Sequence, residues 1–221
     1  LKDISFSVRP GERVGLIGLN GAGKSTLIKI LCGVLAPTQG HVEIDGHLLK
    51  ADQYDYKKRI GVLFGHRGQL WNDLTVRDSY DLLQKIYGIP IEQYKIDLQE
   101  YIEGFELEKL LDVPLRKLSL GQRMKCEIVG CLLHGPELLL LDEATLGLDI
   151  FTRELVLREI KAIQSKTNMT LLFTSHNLDD VENLCERILI LDKGQILFDD
   201  SMLTLRQKYA GHYGLRVYID K

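Results

Sequence analysis

Long apolar runs are missing from this sequence: no stretch approaches the roughly 20 consecutive apolar residues needed to span a bilayer. Any link to a membrane is therefore expected to run through a partner. A signal-like opening segment is missing as well. Cysteine is scarce, and the four residues Cys32, Cys126, Cys131 and Cys185 show neither a metal-ligand spacing nor the density of a disulfide framework. They read as reduced thiols in a cytosolic compartment. An excess of positive charge is also lacking, since 28 basic residues face 31 acidic ones for a net charge of −3. No field draws such a chain onto a phosphate backbone, and no nucleic acid is expected as a partner. Repeats and low-complexity tracts do not occur.

What is present suffices for a core. Across 221 residues, 45% are apolar, enough for one large domain or a core carrying a subdomain. Leu1 already lies inside a strand pattern and Gly214 to Lys221 reads as a strand just starting, so both ends are expected to continue in a longer polypeptide.

Ile4 to Val8 and Arg13 to Ile17 are alternating runs around Pro10-Gly11, which predicts a hairpin. Apolar residues at helical spacing follow over Lys24 to Leu35, with Gly33 near the end. Val42 to Ile44 and Leu48 to Leu49 flank Asp45-Gly46 as a second hairpin, giving an N-terminal antiparallel β layer. Ile60 to Phe64 is a short buried strand. From about Leu74 to Leu118 the pattern is helical, with breaks near Gly88 to Pro90 and at Pro114. Strands then alternate with helices: Glu137 to Leu141, Thr152 to Ser165, Thr170 to Thr174 and Leu178 to Cys185, closed by a hairpin of Arg187 to Leu191 and Gln195 to Phe198. That alternation predicts an α/β fold with a mostly parallel sheet covered on both faces.

Between a strand and a helix, Gly18-Leu19-Asn20-Gly21-Ala22-Gly23-Lys24-Ser25, followed by Thr26, matches G-x-x-x-x-G-K-[ST]. Its glycines let successive backbone N–H groups converge, the helix N-terminus adds partial positive charge, Lys24 reaches the β/γ-phosphates and the Ser25 hydroxyl can ligate Mg²⁺. Alone, the loop fits a kinase or a GTPase equally well. Leu138 to Leu141 end in Asp142-Glu143, which places two carboxylates at the C-terminal edge of a parallel sheet, where ligands bind in α/β folds. An isolated acidic pair there reads as a helix cap or a solvated turn. Beside a phosphate loop, Asp142 reads as a Mg²⁺ holder and Glu143 as the group that orients the attacking water or accepts its proton.

His176 follows another strand and reads either as a loop residue or as a hydrogen-bond donor to a γ-phosphate. His41, His47, His134 and His212 have no comparable placement and read as surface or structural. Leu118-Ser119-Leu120-Gly121-Gln122 opens a helix. Ser119 reads first as its N-cap, and second as part of another anion site.

These elements, in this order and spacing, resemble the nucleotide-binding domain of an ATP-binding cassette (ABC) transporter over essentially the whole chain. The resemblance implies a P-loop NTPase core with an N-terminal antiparallel β subdomain and an inserted α-helical subdomain. Residues 1–73 and 119–221 would form the core and about 74–118 the insert, within a single domain. It implies ATP and Mg²⁺ as cofactors, with Lys24, Glu143 and His176 catalytic. It further implies that Ser119, Leu120, Gly121 and Gln122 close over the γ-phosphate held by a second, head-to-tail domain, and that Asp149 of the Gly147-Leu148-Asp149 loop couples the facing sites. Closure and reopening would be passed to transmembrane permease subunits from the cytoplasmic face of a membrane. A short helical insert, Val62 to Gly65 and Lys117 to Lys125 look most like exporter ATPases with separate small permeases.

Departures from the family pattern mark what is different here. His66 stands where a coupling-loop glutamine is usual, with Gln69 a little beyond. Imidazole lacks the amide's paired donor and acceptor. Ala144 replaces a proline after the acids, and Leu120 replaces a commoner glycine. An aromatic that stacks on adenine would lie before Leu1. The competing readings are a cassette ATPase acting on ribosomes or DNA, and a non-hydrolysing ATP sensor.

Overall fold

The computed structural model describes residues 1–44, 46–49, 54–65 and 68–209. Its main sheet contains β1 (Arg13–Ile17), β4 (Ile60–Phe64), β5 (Leu138–Asp142), β6 (Thr170–Thr174), β7 (Arg187–Asp192) and β8 (Gln195–Ser201). The order is β4-β5-β6-β1-β7-β8, parallel throughout except for β8, which pairs antiparallel with β7. The closing hairpin is thus as expected. A separate two-stranded pairing joins β2 (Glu43–Ile44) to β3 (His47–Leu48). Asp45, at the expected turn between them, lies outside the described residues, as do Gly214 to Lys221.

The expected hairpin between Ile4 to Val8 and Arg13 to Ile17 does not form. β1 lies between β6 and β7, so both of its hydrogen-bonding edges are occupied and no edge is left for an antiparallel neighbour. Pro10-Gly11 still turns the chain, with the Glu12 N–H donating to Arg9 O and Gly11 at φ +75°. Ile4, Phe6 and Val8 pack their side chains against one face of the sheet without a ladder.

Helices cover both faces. α1 (Lys24–Leu31) lies on one; α3 (Val76–Tyr87), α4 (Ile91–Phe105), α5 (Leu120–Leu132), α6 (Ile150–Thr167) and α7 (Leu178–Leu184) contribute to the other, and the short α2 (Tyr54–Lys57) and α8 (Met202–Tyr209) were not foreseen. The division follows from strand periodicity. Leu139 and Leu141 of β5 and Leu171 and Phe173 of β6 join the larger apolar cluster, whereas Leu140 and Leu172 turn to the smaller one with Val14 and Leu16. Each such fully buried side chain contributes roughly 1.5–3 kcal/mol. Strands buried on both faces need near-continuous apolar runs, which explains Leu138 to Leu141.

Local signals set the helix ends. Thr75 caps α3 by accepting the Asp78 N–H, and Gly88 ends it in the left-handed conformation at φ +66°. Pro90 then precedes α4, and a single 3₁₀ turn, Leu115–Lys117, leads into α5. Asp149 caps α6 through the Thr152 N–H. The sheet's alignment brings the ends of β1, β5 and β6 to one edge: Asp142 is in register with Thr174, and Thr174 with Leu16.

Candidate nucleotide site

At that edge the chain leaves β1 through Gly18 to Gly23 and enters α1. Gly21 and Gly23 take φ +80° and +112°, backbone that an L side chain rarely adopts, and Gly23 caps α1 with no side-chain bond. The helix's first N–H groups therefore face the loop. A Cβ on Gly18 would sit 2.3 Å from Leu191 O, so the loop presses against β7. Lys24 is buried at 4% exposure, its Nζ donating to Gly18 O at 2.8 Å and to Leu19 O at 3.4 Å. Leu19, Asn20, Gly21 and Thr26 are exposed, Ala22 is buried and Ser25 is half-buried.

Across the edge, Asp142 is buried and its Oδ1 accepts from the Thr174 hydroxyl at 2.8 Å. Glu143 departs from ordinary geometry at φ +55°. For a residue with a side chain that backbone costs of order 1 kcal/mol, and it is held by the Glu143 N–H donating to both the carbonyl and the hydroxyl of Thr174. The turn points the carboxylate back toward the loop: Glu143 Oε1 lies 2.7 Å from His176 Nε2 and 3.8 Å from Lys24 Nζ. Lys24, Glu143 and His176, distant in sequence, thus meet at one place.

Ser119 and Gln122 form a reciprocal capping box. The Gln122 N–H donates to Ser119 Oγ at 3.3 Å and the Ser119 N–H to Gln122 Oε1 at 3.0 Å, which is the helix-cap reading made concrete. This α5 end lies against the start of α6, since a Cβ on Gly121 would stand 3.2 Å from Thr152 Cγ2 and 3.7 Å from Asp149 Oδ2. Thr152 donates through its N–H and its hydroxyl to Asp149, and those two bonds hold the Asp149 carboxyl below the usual range. Leu120 touches the Gly147 position, and Leu120, Leu146, Ile150 and Phe151 are all exposed, Phe151 to 84%.

His66 lies outside the described residues. Gln69 is turned to α5, where its Nε2 donates to Cys131 Sγ at 3.2 Å; none of its described bonds joins Lys24, Glu143 or His176. All four cysteines are buried and unpaired, and burial pushes the Cys126 thiol up to about 12. His134 is structural, stacked on Tyr87 with its Nε2 against Ile60 O.

Two buried acids escaped sequence reasoning. Glu127, 2% exposed on α5, accepts the N–H groups of Gln69 and Leu70 and pairs with Arg123, and burial raises its carboxyl above the ordinary range. Asp180, 2% exposed on α7, accepts from Thr145 and Ser175 and faces Arg153. An acid inside the apolar stretch Cys126 to Val129 was a readable signal for the first. Asp180 stands beside Asp179 in the first turn of α7, where acids are common, and carries no such signal.

A parallel sheet whose glycine-rich loop, acidic strand end and histidine share one edge defines a P-loop NTPase. A family model described as "ABC transporter" matches residues 1–146, and the chain belongs to that family. Among its relatives, the ABC transporter ATP-binding protein NatA of Bacillus subtilis is 30% identical over 93% of this chain and 83% of its own length. The solved structure of an ATP-binding subunit of an ABC transporter aligns at 30% identity and a TM-score of 0.85, over 95% of this chain and 87% of its own. A dimeric post-hydrolysis ATP-binding cassette, MJ0796, bound to ADP and Pi aligns at 26% identity and a TM-score of 0.79, over 89% and 88%. The chain is an ATP-binding subunit of an ABC transporter and an ATPase.

Proposed function

We propose that two such cassettes close head to tail over ATP and that each opening, driven by hydrolysis, moves a membrane permease, in the direction of export. The observation that carries the hydrolytic half is the meeting of Glu143 with both Lys24 and His176. In this reading residues 18–26 cradle the phosphates and Lys24 holds the β/γ-phosphates. Glu143 orients the water that attacks, and His176, whose Nε2 lies against Glu143 Oε1, gives its N–H to the γ-phosphate when ATP is bound. Ser25 and Asp142 supply oxygen donors alone, the set a hard Mg²⁺ ion takes, and that ion would offset phosphate charge. Residues 1–73 and 119–221 act as the nucleotide core, and about 74–118 as the helical insert that receives the permease.

Two features favour a shared site. Ser119 and Gln122 are exposed at the end of α5, beside the apolar residues Leu120, Leu146, Ile150 and Phe151, a patch suited to cover by a second copy. Asp149 lies in the same patch and would couple the facing sites. The export direction rests on the likeness to exporter ATPases with separate permeases, and the permease would hold the chain at the cytoplasmic face. No described helix is long and apolar enough to cross a membrane.

Glu143→Gln provides the test. It keeps the shape of the side chain and removes the base, so phosphate release should stop while ATP-dependent dimers accumulate in light scattering. Steady phosphate release from the variant would sink the assignment, and monomers at saturating ATP would sink the shared site.

A further inference from the structure

Glu143, Asp149 and His176 all sit in loops at the exposed edge, yet each has a neighbour tied to the same buried carboxylate. Thr145, two residues after Glu143, donates its hydroxyl to Asp180 Oδ2 at 2.7 Å. Ser175, immediately before His176, reaches the same oxygen at 3.4 Å, and its own Oγ accepts the Asn177 N–H at 3.0 Å. Arg153, in the first turn of the helix that Asp149 caps, places Nε 3.3 Å from Asp180 Oδ1. Thr145, Ser175 and Asp180 are 6%, 4% and 2% exposed, so these contacts lie beneath the site and out of reach of a nucleotide.

We propose that Asp180 is the positioning residue of this site, a buried carboxylate that holds the Glu143, Asp149 and His176 loops in one register. The inference rests on the hydrolytic reading of Glu143 and His176 given above. Its physical basis is geometric. The loops after β5 and β6 begin from strands in register at Asp142 and Thr174, but beyond the strands no ladder continues to fix them. Left-handed backbone at Glu143 adds local strain to one of them. One carboxylate with two oxygens can collect donors from both loops and the α6 terminus together, and the Arg153 guanidinium offsets the charge it buries. Loss of that anchor would leave ATP contacts at Gly18 to Thr26 intact while letting the Glu143 to His176 distance vary.

Steady-state hydrolysis by the full chain tests this with a cycle of Asp180→Asn, His176→Ala and the double variant. Asparagine retains an acceptor for Thr145 but sets an amide donor toward Arg153. We expect kcat to fall about ten- to a hundredfold, as for a displacement near 1 Å at a reacting group, with KM for ATP within about twofold. In the His176→Ala background Asp180→Asn should lower kcat by a clearly smaller factor, because one of the groups it positions is already gone. An equal loss in both backgrounds would make Asp180 a general structural residue and overturn the proposal. Wild-type kcat in Asp180→Asn beside an inactive His176→Ala would overturn it while leaving the hydrolytic reading standing. A His176→Ala chain with wild-type kcat would overturn both. Should Asp180→Asn fail to fold, Thr145→Val removes the 2.7 Å donor alone and carries the same expectation and the same outcomes.

Discussion

Lys24 Nζ donates to the carbonyl of Gly18 at 2.8 Å, so the loop's cation is fixed by the first residue of its own loop. The ammonium is preset at the mouth of α1 and need not be drawn from solvent. Lys24→Ala should weaken ATP binding about tenfold or more, since a charge-assisted bond to phosphate contributes roughly 1.5–3 kcal/mol. Equilibrium binding of a fluorescent ATP analogue checks this. Unchanged affinity would remove Lys24 from the phosphate site.

Ser119 separates two effects. Ser119→Ala loses the cap and should lower the stability of α5 by about 1 kcal/mol, read as a small drop in Tm. Ser119→Arg keeps a folded, ATP-binding monomer but sets a bulky cation in the proposed shared surface, and should abolish ATP-dependent dimers in the Glu143→Gln background. Dimers that persisted would contradict closure over this residue.

Glu127 gives a pH dependence with a definite sign. Burial is the largest influence and raises its carboxyl from the ordinary 4.5, against the Leu70 and Gln69 N–H groups and Arg123, which pull it down. A raised acid binds its proton more tightly in the folded chain, so this group's contribution to stability falls as pH rises from 4.5 through the folded value. Glu127→Gln removes that dependence. The difference in Tm, variant minus wild type, should grow more positive as pH is raised through that window, and a difference independent of pH would refute the account.

Gly61 tests the packing of β4 on α5. A Cβ there would lie 2.5 Å from Cys131 O, a backbone atom, and 2.9 Å from Leu139 Cδ1. Gly61→Ala should destabilise by about 1–3 kcal/mol through forced separation of strand and helix. Urea unfolding measures it, and a midpoint unchanged from wild type would show that the helix shifts freely.

Much of this molecule is legible in its sequence because local physics agrees with the whole. Continuous apolar runs mark β5 and β6, and the Ser119 cap marks the start of α5. The phosphate loop declares itself by composition. Ile4 to Val8 misled because alternation reports one buried face and says nothing of whether a neighbouring edge is vacant. Lys24 with Glu143 and Asp180 with Thr145 are pairs that parallel register creates across more than thirty intervening residues. Sequence spacing carries no trace of such a meeting.

The capping box at α5 has a further consequence. A hydroxyl can accept two hydrogen bonds and donate one, and the Gln122 N–H engages Ser119 Oγ only as an acceptor. Its proton is uncommitted among the described bonds, so the oxygen can finish its own helix and, in the same orientation, offer its hydrogen to an oxyanion from outside. Cap and anion contact are therefore two valences of one atom. In the proposed dimer a facing cassette would engage and leave without unwinding the helix that meets it.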